Sequence, residues 1–305
     1  MEKICKKNII LKILLAVIVI LITKIALTPI NKNYDPIAWM KNIDDSVLIN
    51  DLSIPGTHDS GAMHSIFDVA GKCQEMNIQN QLNIGVRFLD IRLQLVKDEL
   101  QVVHSFVKQD LDFVSVLEDL NEFITSYNSE FLIVSIKKDN DSVKSTVDFS
   151  DKVLEELGKY QNIVLDTLPS TVKEARGKIY ILNRFTSENI GIMASSNWKD
   201  STSFELGNLY VQDNYSIDDI NIKLEDIKKT FELSVNDQSH LYLNYTSCYL
   251  NGVFPPTYAG TPARKINKWL NDYLDENAIE GIVIMDFVTK DLVQKVYEVN
   301  YEKNN

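Results

Sequence analysis

His58 and His104 are the two histidines of this chain whose surroundings could support acid–base chemistry. His58 lies in SIPGTHDSGAMHS (53–65), between a Pro-Gly-Thr run that reads as a turn and Asp59, and six residues before His64. His104 closes the apolar run LQVVH (100–104). Imidazole titrates near neutrality, so two of them can serve as base and acid in one displacement. A carboxylate on the far ring nitrogen fixes the tautomer and stabilises the imidazolium, and Asp59 and Asp286 are the candidates for that task. Arg92, Lys137 and Arg184 supply cations. A guanidinium is planar, permanently charged and able to grip two phosphate oxygens at once. These residue types describe phosphoryl transfer with histidine acid–base catalysis and no obligatory metal, the cations stabilising developing phosphate charge. His64 and His240 read as structural.

Such residues act only if the fold gathers them, and the hydrophobic pattern says where they fall. Apolar runs predict strands over Leu48–Ile54, Val86–Leu93, Phe131–Ile136, Lys178–Leu182, Leu209–Gln212, His240–Tyr245 and Gly281–Met285. Between them, helical spacing predicts helices over Phe113–Tyr127, Ser142–Leu157, Ile217–Leu233, Pro262–Leu274 and Leu292–Val299. In the first helix Val116, Leu117, Leu120, Phe123 and Ile124 share one face. Alternation of strand and helix is the mark of a parallel sheet, and seven or so strands suit a barrel better than a small open sheet. The segment Leu100–His104 is expected to fold back as a hairpin on the second strand, which makes the barrel irregular. His58, Arg92, Lys137, Arg184, Asp213 and Asp286 all sit at the C-terminal end of an expected parallel strand. In such a barrel those ends form one face, and active sites are built there.

The rest of the composition bounds the reading. The chain of 305 residues and 34.8 kDa shows no repeat or linker, which leaves one barrel-sized domain over residues 35–305. Its N-terminus is different. MEKICKK is basic and ILLAVIVILIT (13–23) is apolar, the layout of an export signal, residues 1–28, or of an anchor over residues 9–27. Either one places the body outside the cell, secreted or membrane-anchored. Without residues 1–27 that body carries 26 Lys and Arg against 42 Asp and Glu. So acidic a surface argues against nucleic-acid binding, and an anionic substrate needs its own local cluster of cations. Beyond the N-terminal segment only Cys73 and Cys248 remain, with no C-x₂-C spacing for zinc. They are too few for a disulfide framework, and spacing leaves open whether they pair or stay free.

An ordered set of motifs carries a family resemblance. SIPGTHDS (53–60), FLDIR (88–92), VVHS (102–105), SIKK (135–138), ARGKIYILNR (175–184), VQDNY (211–215) and HLYLNYTS (240–247) occur in an order that resembles the bacterial phosphatidylinositol-specific phospholipases C. The resemblance runs from about Trp39 to the C-terminus. It implies an α/β fold, a distorted and incompletely closed TIM-type barrel. The implied reaction cleaves phosphatidylinositol to diacylglycerol and inositol 1,2-cyclic phosphate, with slow hydrolysis of the cyclic ester. Carried onto this sequence, His58 is the base on the inositol 2-hydroxyl, oriented by Asp286. His104, partnered by Asp59, protonates the departing diacylglycerol oxygen, and Arg92 binds the phosphate. Lys137, Arg184 and Asp213 bind inositol hydroxyls, and Tyr215 stacks on the ring. Calcium-using relatives resemble FLDxD at the second motif, a carboxylate standing where this chain has Arg92. Calcium takes about six to eight oxygen ligands, so a guanidinium there implies calcium-independent activity without a metal or other cofactor.

Some features depart from the pattern. Ser105 follows His104 where a glycine is common. Relatives carry exposed tryptophans on two rim segments. Here those segments offer Ile66, Phe67 and Val69 in the first and Phe254 in the second as a membrane rim. The resemblance implies a monomer acting on phosphatidylinositol in membranes, with glycosyl-phosphatidylinositol anchors a second candidate substrate. Two other readings compete with this one. A metal-dependent glycerophosphodiester phosphodiesterase needs acidic metal ligands where Arg92 and Lys137 stand. A non-catalytic inositol-lipid-binding surface protein has no use for an acid–base pair.

Overall fold

Pro55 and Gly56, which punctuate a turn in most sequences, lie inside a strand here, and that strand anchors the barrel. The structure, a computed structural model, describes residues 34–64, 71–253 and 259–302. Among them the strands in chain order are β1 Ser53–Thr57, β2 Phe88–Val96, β3 Glu99–His104, β4 Val107–Asp112, β5 Leu132–Lys138, β6 Ile163–Val164, β7 Ile179–Arg184, β8 Ile192–Met193, β9 Ser203–Leu206, β10 Leu209–Gln212, β11 Ser216–Ile217, β12 Leu241–Tyr245, β13 Tyr249–Leu250 and β14 Gly281–Met285. The expected first strand, Leu48–Ile54, is thus displaced. Ile49–Asp51 is a 3₁₀ turn and the ladder starts at Ser53. Gly56 is needed in the strand because a Cβ there would meet Phe88 Cβ at 2.9 Å. Pro55 keeps its one backbone bonding group in use by accepting from Arg87 N at 2.9 Å.

Seven strands run parallel in the order β7-β5-β2-β1-β14-β12-β10, each paired with the next. Beyond β7 lie β6 and β8, and beyond β10 lies antiparallel β9. Among the described residues no pairing joins β8 to β9 or β10, so the sheet curls without closing. The result is a single mixed α/β domain built as a partly closed barrel. β2 does not end at Arg92 as expected. It continues to Val96 and pairs antiparallel with β3, which pairs with β4. This arm carries His104 to the barrel mouth and gives the expected hairpin.

Parallel strands buried on both faces need apolar residues throughout, and β1, β12 and β14 are buried along their whole length. The helix Phe113–Ser126 buries Val116, Leu117, Leu120, Phe123 and Ile124, as its spacing predicts, and Asp112 caps it by accepting from Ser115 N. The helix expected from Ser142 starts only at Phe149, because Asp148 caps it there, accepting from Ser150 N and Asp151 N. The remaining long helices are Ile220–Ser234, Gly260–Tyr273 and Lys290–Glu302. Among the described residues no helix is long and apolar enough to cross a membrane. The predicted export segment and the rim residues Ile66, Phe67, Val69 and Phe254 lie outside the described residues.

The N-terminal ends of the strands are stitched by a buried ion pair. Arg87 and Glu130 are both fully buried, with Nη2 2.8 Å from Oε2. Arg87 also donates to the carbonyls of Leu82, Val86 and Ile37 at 2.8–2.9 Å, and Trp39 stacks on Tyr297 beside it. These contacts are structural, and they leave the opposite face for chemistry.

Candidate active site

Ladder register places the cations. Arg92 on β2 is the rung partner of Lys137 on β5, and Lys137 is the partner of Arg184 on β7. In-register residues of parallel strands point to the same side, so the three cations form one row. Two residues earlier the same ladder pairs Asp90 with Ser135. Asp90 therefore lies under the cation row, and its carboxylate contacts Arg92 Nη2 at 3.2 Å and Arg184 Nη1 at 3.7 Å while accepting from Ser135 Oγ at 3.1 Å. Asp90 is fully buried. Burial pushes its carboxyl up, but Arg92 and Arg184 outweigh this and hold it far below the usual carboxylate range.

His58 and Asp286 follow directly on the paired strands β1 and β14, whose last rung is Thr57 with Met285. His58 Nδ1 lies 2.8 Å from Asp286 Oδ1. Its Nε2 faces Arg92 Nη2 at 2.7 Å and Asp59 Oδ2 at 3.2 Å. Burial pushes the imidazole pKa down, but Asp286 and Asp59 raise it by more than burial and Arg92 together lower it, so the net shift is upward from 6.5. Asp59 is buried, and its backbone takes a left-handed φ of 42°. One carboxylate then serves three groups: Oδ1 lies 3.1 Å from Arg92 Nε, and Oδ2 lies 3.2 Å from His58 Nε2 and 3.5 Å from His104 Nε2. The sequence assigned Asp59 to His104 alone. In the structure it links both imidazoles to the guanidinium. Flanked by Asp59 and Asp90, Arg92 is held charged well above its ordinary range despite burial.

A cavity of about 440 Å³ opens over this cluster, lined among others by His58, Arg92, His104, Lys137, Arg184, Asp213, Tyr215 and Asp286. That volume is ample for a sugar-sized headgroup. Every catalytic and substrate-binding residue predicted from the sequence reaches this cavity, except that Asp59 lies just beneath it. Arg184 Cζ lies over the Trp198 ring, 3.6 Å from its centroid, and Trp198 Nε1 donates to Asp213 Oδ2 at 3.0 Å. Tyr215 donates its hydroxyl to Asp200. Lys137 pairs with Asp139 at 3.2 Å. Asp90, Asp139, Trp198 and Asp200 were missed in the sequence. Only Asp90 had a readable signal, a carboxylate two residues before Arg92 and hence on the same face of the strand. Phe106, at the tip of the β3–β4 hairpin two residues beyond His104, was also missed, and it is 80% exposed. His240 pairs with Asp237 at 3.0 Å, away from the cavity lining.

Among the described residues one group could hold a metal ion: His58, Asp59 and Cys73, whose ligand atoms lie within 4.8 Å of one another. It offers a single carboxylate, and the Arg92 guanidinium lies 2.7 Å from His58 Nε2. Calcium wants six to eight oxygens, so this donor set does not suit it. Cys73 and Cys248 are both free and buried, and burial pushes both thiols up, Cys248 to about 12.

Comparison with known proteins gives the family. The family description "Phosphatidylinositol-specific phospholipase C, X domain" matches residues 52–185. The 1-phosphatidylinositol phosphodiesterase of Staphylococcus aureus (strain Newman) is 30% identical over 278 residues, covering 83% of this chain and 88% of that protein. The 1-phosphatidylinositol phosphodiesterase of Listeria monocytogenes is 26% identical over 284 residues, covering 89% and 87%. Among solved structures, a single-site variant of the Staphylococcus aureus phosphatidylinositol-specific phospholipase C superposes with a TM-score of 0.79 at 28% identity, covering 87% of this chain and 97% of that one. With its length so fully covered by such relatives, the chain belongs to the phosphatidylinositol-specific phospholipase C family.

Proposed function

We propose that this protein cleaves phosphatidylinositol by intramolecular displacement, without calcium. The observation that carries the reading is the cluster at the cavity floor: two imidazoles on one carboxylate, with a guanidinium 2.7 Å from the imidazole that is itself bonded to Asp286. His58, neutral and oriented by Asp286, removes the proton of the inositol 2-hydroxyl. That oxygen attacks the neighbouring phosphorus, and a five-membered cyclic phosphate forms. Holding nucleophile and phosphorus in one ring can be worth about 7–11 kcal/mol when geometry is ideal. Charge building on the phosphoryl oxygens meets Arg92, which Asp59 and Asp90 keep charged and fixed. His104 gives its proton to the diacylglycerol oxygen as the bond to phosphorus breaks. The roles then reverse for slow hydrolysis, His104 activating water and His58 protonating the 2-oxygen.

Lys137, Arg184 and Asp213 bind inositol hydroxyls, with Tyr215 against the ring. Arg92 takes the electrostatic task of a metal ion. The basic and then apolar N-terminal sequence supports an exported protein, working as a monomer on phosphatidylinositol at a lipid surface. The rim residues expected from the sequence, Ile66, Phe67, Val69 and Phe254, lie outside the described residues, and Phe106 at the tip of the β3–β4 hairpin is a further exposed candidate for bilayer contact. Glycosyl-phosphatidylinositol anchors share the reacting headgroup and are a second substrate to test.

The test is diacylglycerol release from phosphatidylinositol vesicles by the wild type, His58→Ala and His104→Ala. Each variant is expected to lose at least a thousandfold in kcat. Turnover by His58→Ala within tenfold of wild type would overturn the assignment of the base.

A further inference from the structure

The His58–Asp286 dyad stands on two strand ends, and a third segment holds those ends together. Beyond Met285 the chain turns sharply: Phe287 has a φ of 48°, a left-handed conformation that a bulky side chain rarely adopts. Strained backbone persists only where its surroundings over-determine it. Here Cys73 and Gln74 do so from one side, while Asn267 Nδ2 donates to Asp286 O at 2.9 Å and Phe287 O at 3.2 Å from the other. Phe287 N donates to Cys73 O at 2.7 Å, and Val288 N to Gln74 Oε1 at 3.4 Å. Gln74 Nε2 donates to Met285 O at 2.9 Å and to His58 O at 2.8 Å. The Gln74 side chain is fully buried. Its amide thus bridges Met285 O and His58 O beside the last backbone bond of the ladder, His58 N to Met285 O at 3.0 Å.

We propose that Gln74 is a positioning residue for the reaction, acting through the backbone of His58 and of the Asp286 turn to hold the imidazole against its carboxylate. The inference rests on the reading of His58 as the base. It concerns a residue that touches neither the reacting atoms nor the cavity. The groups facing His58 are Asp286 from the end of β14, Asp59 from its own turn, Arg92 from β2, the Tyr245 ring from β12, and Cys73 beside Gln74. Of these, Asp286 depends most directly on Gln74, since two bonds of the Gln74 side chain flank it, one donated to Met285 O and one accepted from Val288 N.

The experiment replaces Gln74 with Met, which keeps the length and removes the bonds, and with Asn, which keeps an amide but shortens its reach. The His58 imidazole is titrated by NMR and kcat and KM are measured on phosphatidylinositol. Gln109→Met serves as a control, because Gln109 is also buried and bonds only to backbone carbonyls and an amide of His64, Gly71 and Val107. Gln74→Met is expected to lower the His58 pKa by about one unit and kcat at least 30-fold, with KM within threefold. Gln74→Asn moves both in the same direction by less, and Gln109→Met leaves the titration in place. A folded Gln74 variant, Met or Asn, with the wild-type titration and kcat would overturn the proposal. The NMR titration needs no substrate, so a wild type inactive on phosphatidylinositol would sink the functional reading without deciding the role of Gln74.

Discussion

Replacing Asp286 by Asn keeps the shape of the side chain and removes its charge from His58. Asp286 Oδ1 lies 2.8 Å from Nδ1, and the residue is 1% exposed, so water screens the pair poorly. In the proposed mechanism His58 becomes cationic as it takes the 2-hydroxyl proton. Unit charges ~4 Å apart at an effective dielectric of ~20 interact by ~4 kcal/mol. Loss of that interaction in the transition state corresponds to about three decades of kcat/KM. The pH profile shifts as well. In the wild type, burial lowers the imidazole pKa, and Asp286 with Asp59 raises it by more, so it ends above 6.5. A general base works when neutral, which puts the acid limb of kcat/KM above that value. Without the Asp286 charge, burial and Arg92 prevail and the limb moves to lower pH. The same raised pKa contributes to stability, fully at pH below about 6.5 and progressively less as pH rises through the folded value. The assay is initial rate on monomeric phosphatidylinositol from pH 4.5 to 9. An Asp286→Asn enzyme within tenfold of wild type, with its acid limb unmoved, would refute the dyad.

Other changes test other parts of the structure. Ser105 holds a φ of 52° and bonds through its backbone, its amide donating to Asp139 at 2.8 Å; Ser105→Gly should therefore gain about 1 kcal/mol in a urea melt, with kcat changed less than twofold. Glu130→Ala strands the Arg87 charge in the core and should cost about 3–5 kcal/mol by the same melt. Phe106→Ala should cut partition onto phosphatidylinositol vesicles about tenfold, a loss that matches burial of one aromatic side chain, while turnover of a monomeric short-chain substrate stays within twofold.

How much of this was legible in the sequence depended on whether a local rule held. The apolar run GIVIM and the run LIVSIK were readable as buried parallel strands because nothing polar interrupts the first and only Ser135 interrupts the second. Pro55 and Gly56 misled, since their usual meaning is a turn and only the approach of Phe88 across the sheet reveals why glycine is required. β4, VKQDLD, went unseen because its burial alternates with exposed polar residues and its partner is a hairpin arm rather than the barrel. Asp90 could have been found by the two-residue period of a strand. Trp198 and Asp200 could not, because they belong to an irregular connection and reach the site only through tertiary contacts with Arg184, Asp213 and Tyr215. Gln74 likewise acquires meaning only once β1 and β14 are known to be neighbours.

The central claim is that an imidazole pair around Arg92 carries out phosphoryl transfer to a neighbouring hydroxyl with no metal. Phosphorus NMR of phosphatidylinositol vesicles incubated with the protein and excess chelator tests it most directly. The expected record is a cyclic phosphodiester resonance that rises first and converts slowly to a monoester, at a rate chelator does not alter. Monoester appearing without the cyclic precursor, or activity lost to the chelator and restored by calcium, would contradict it.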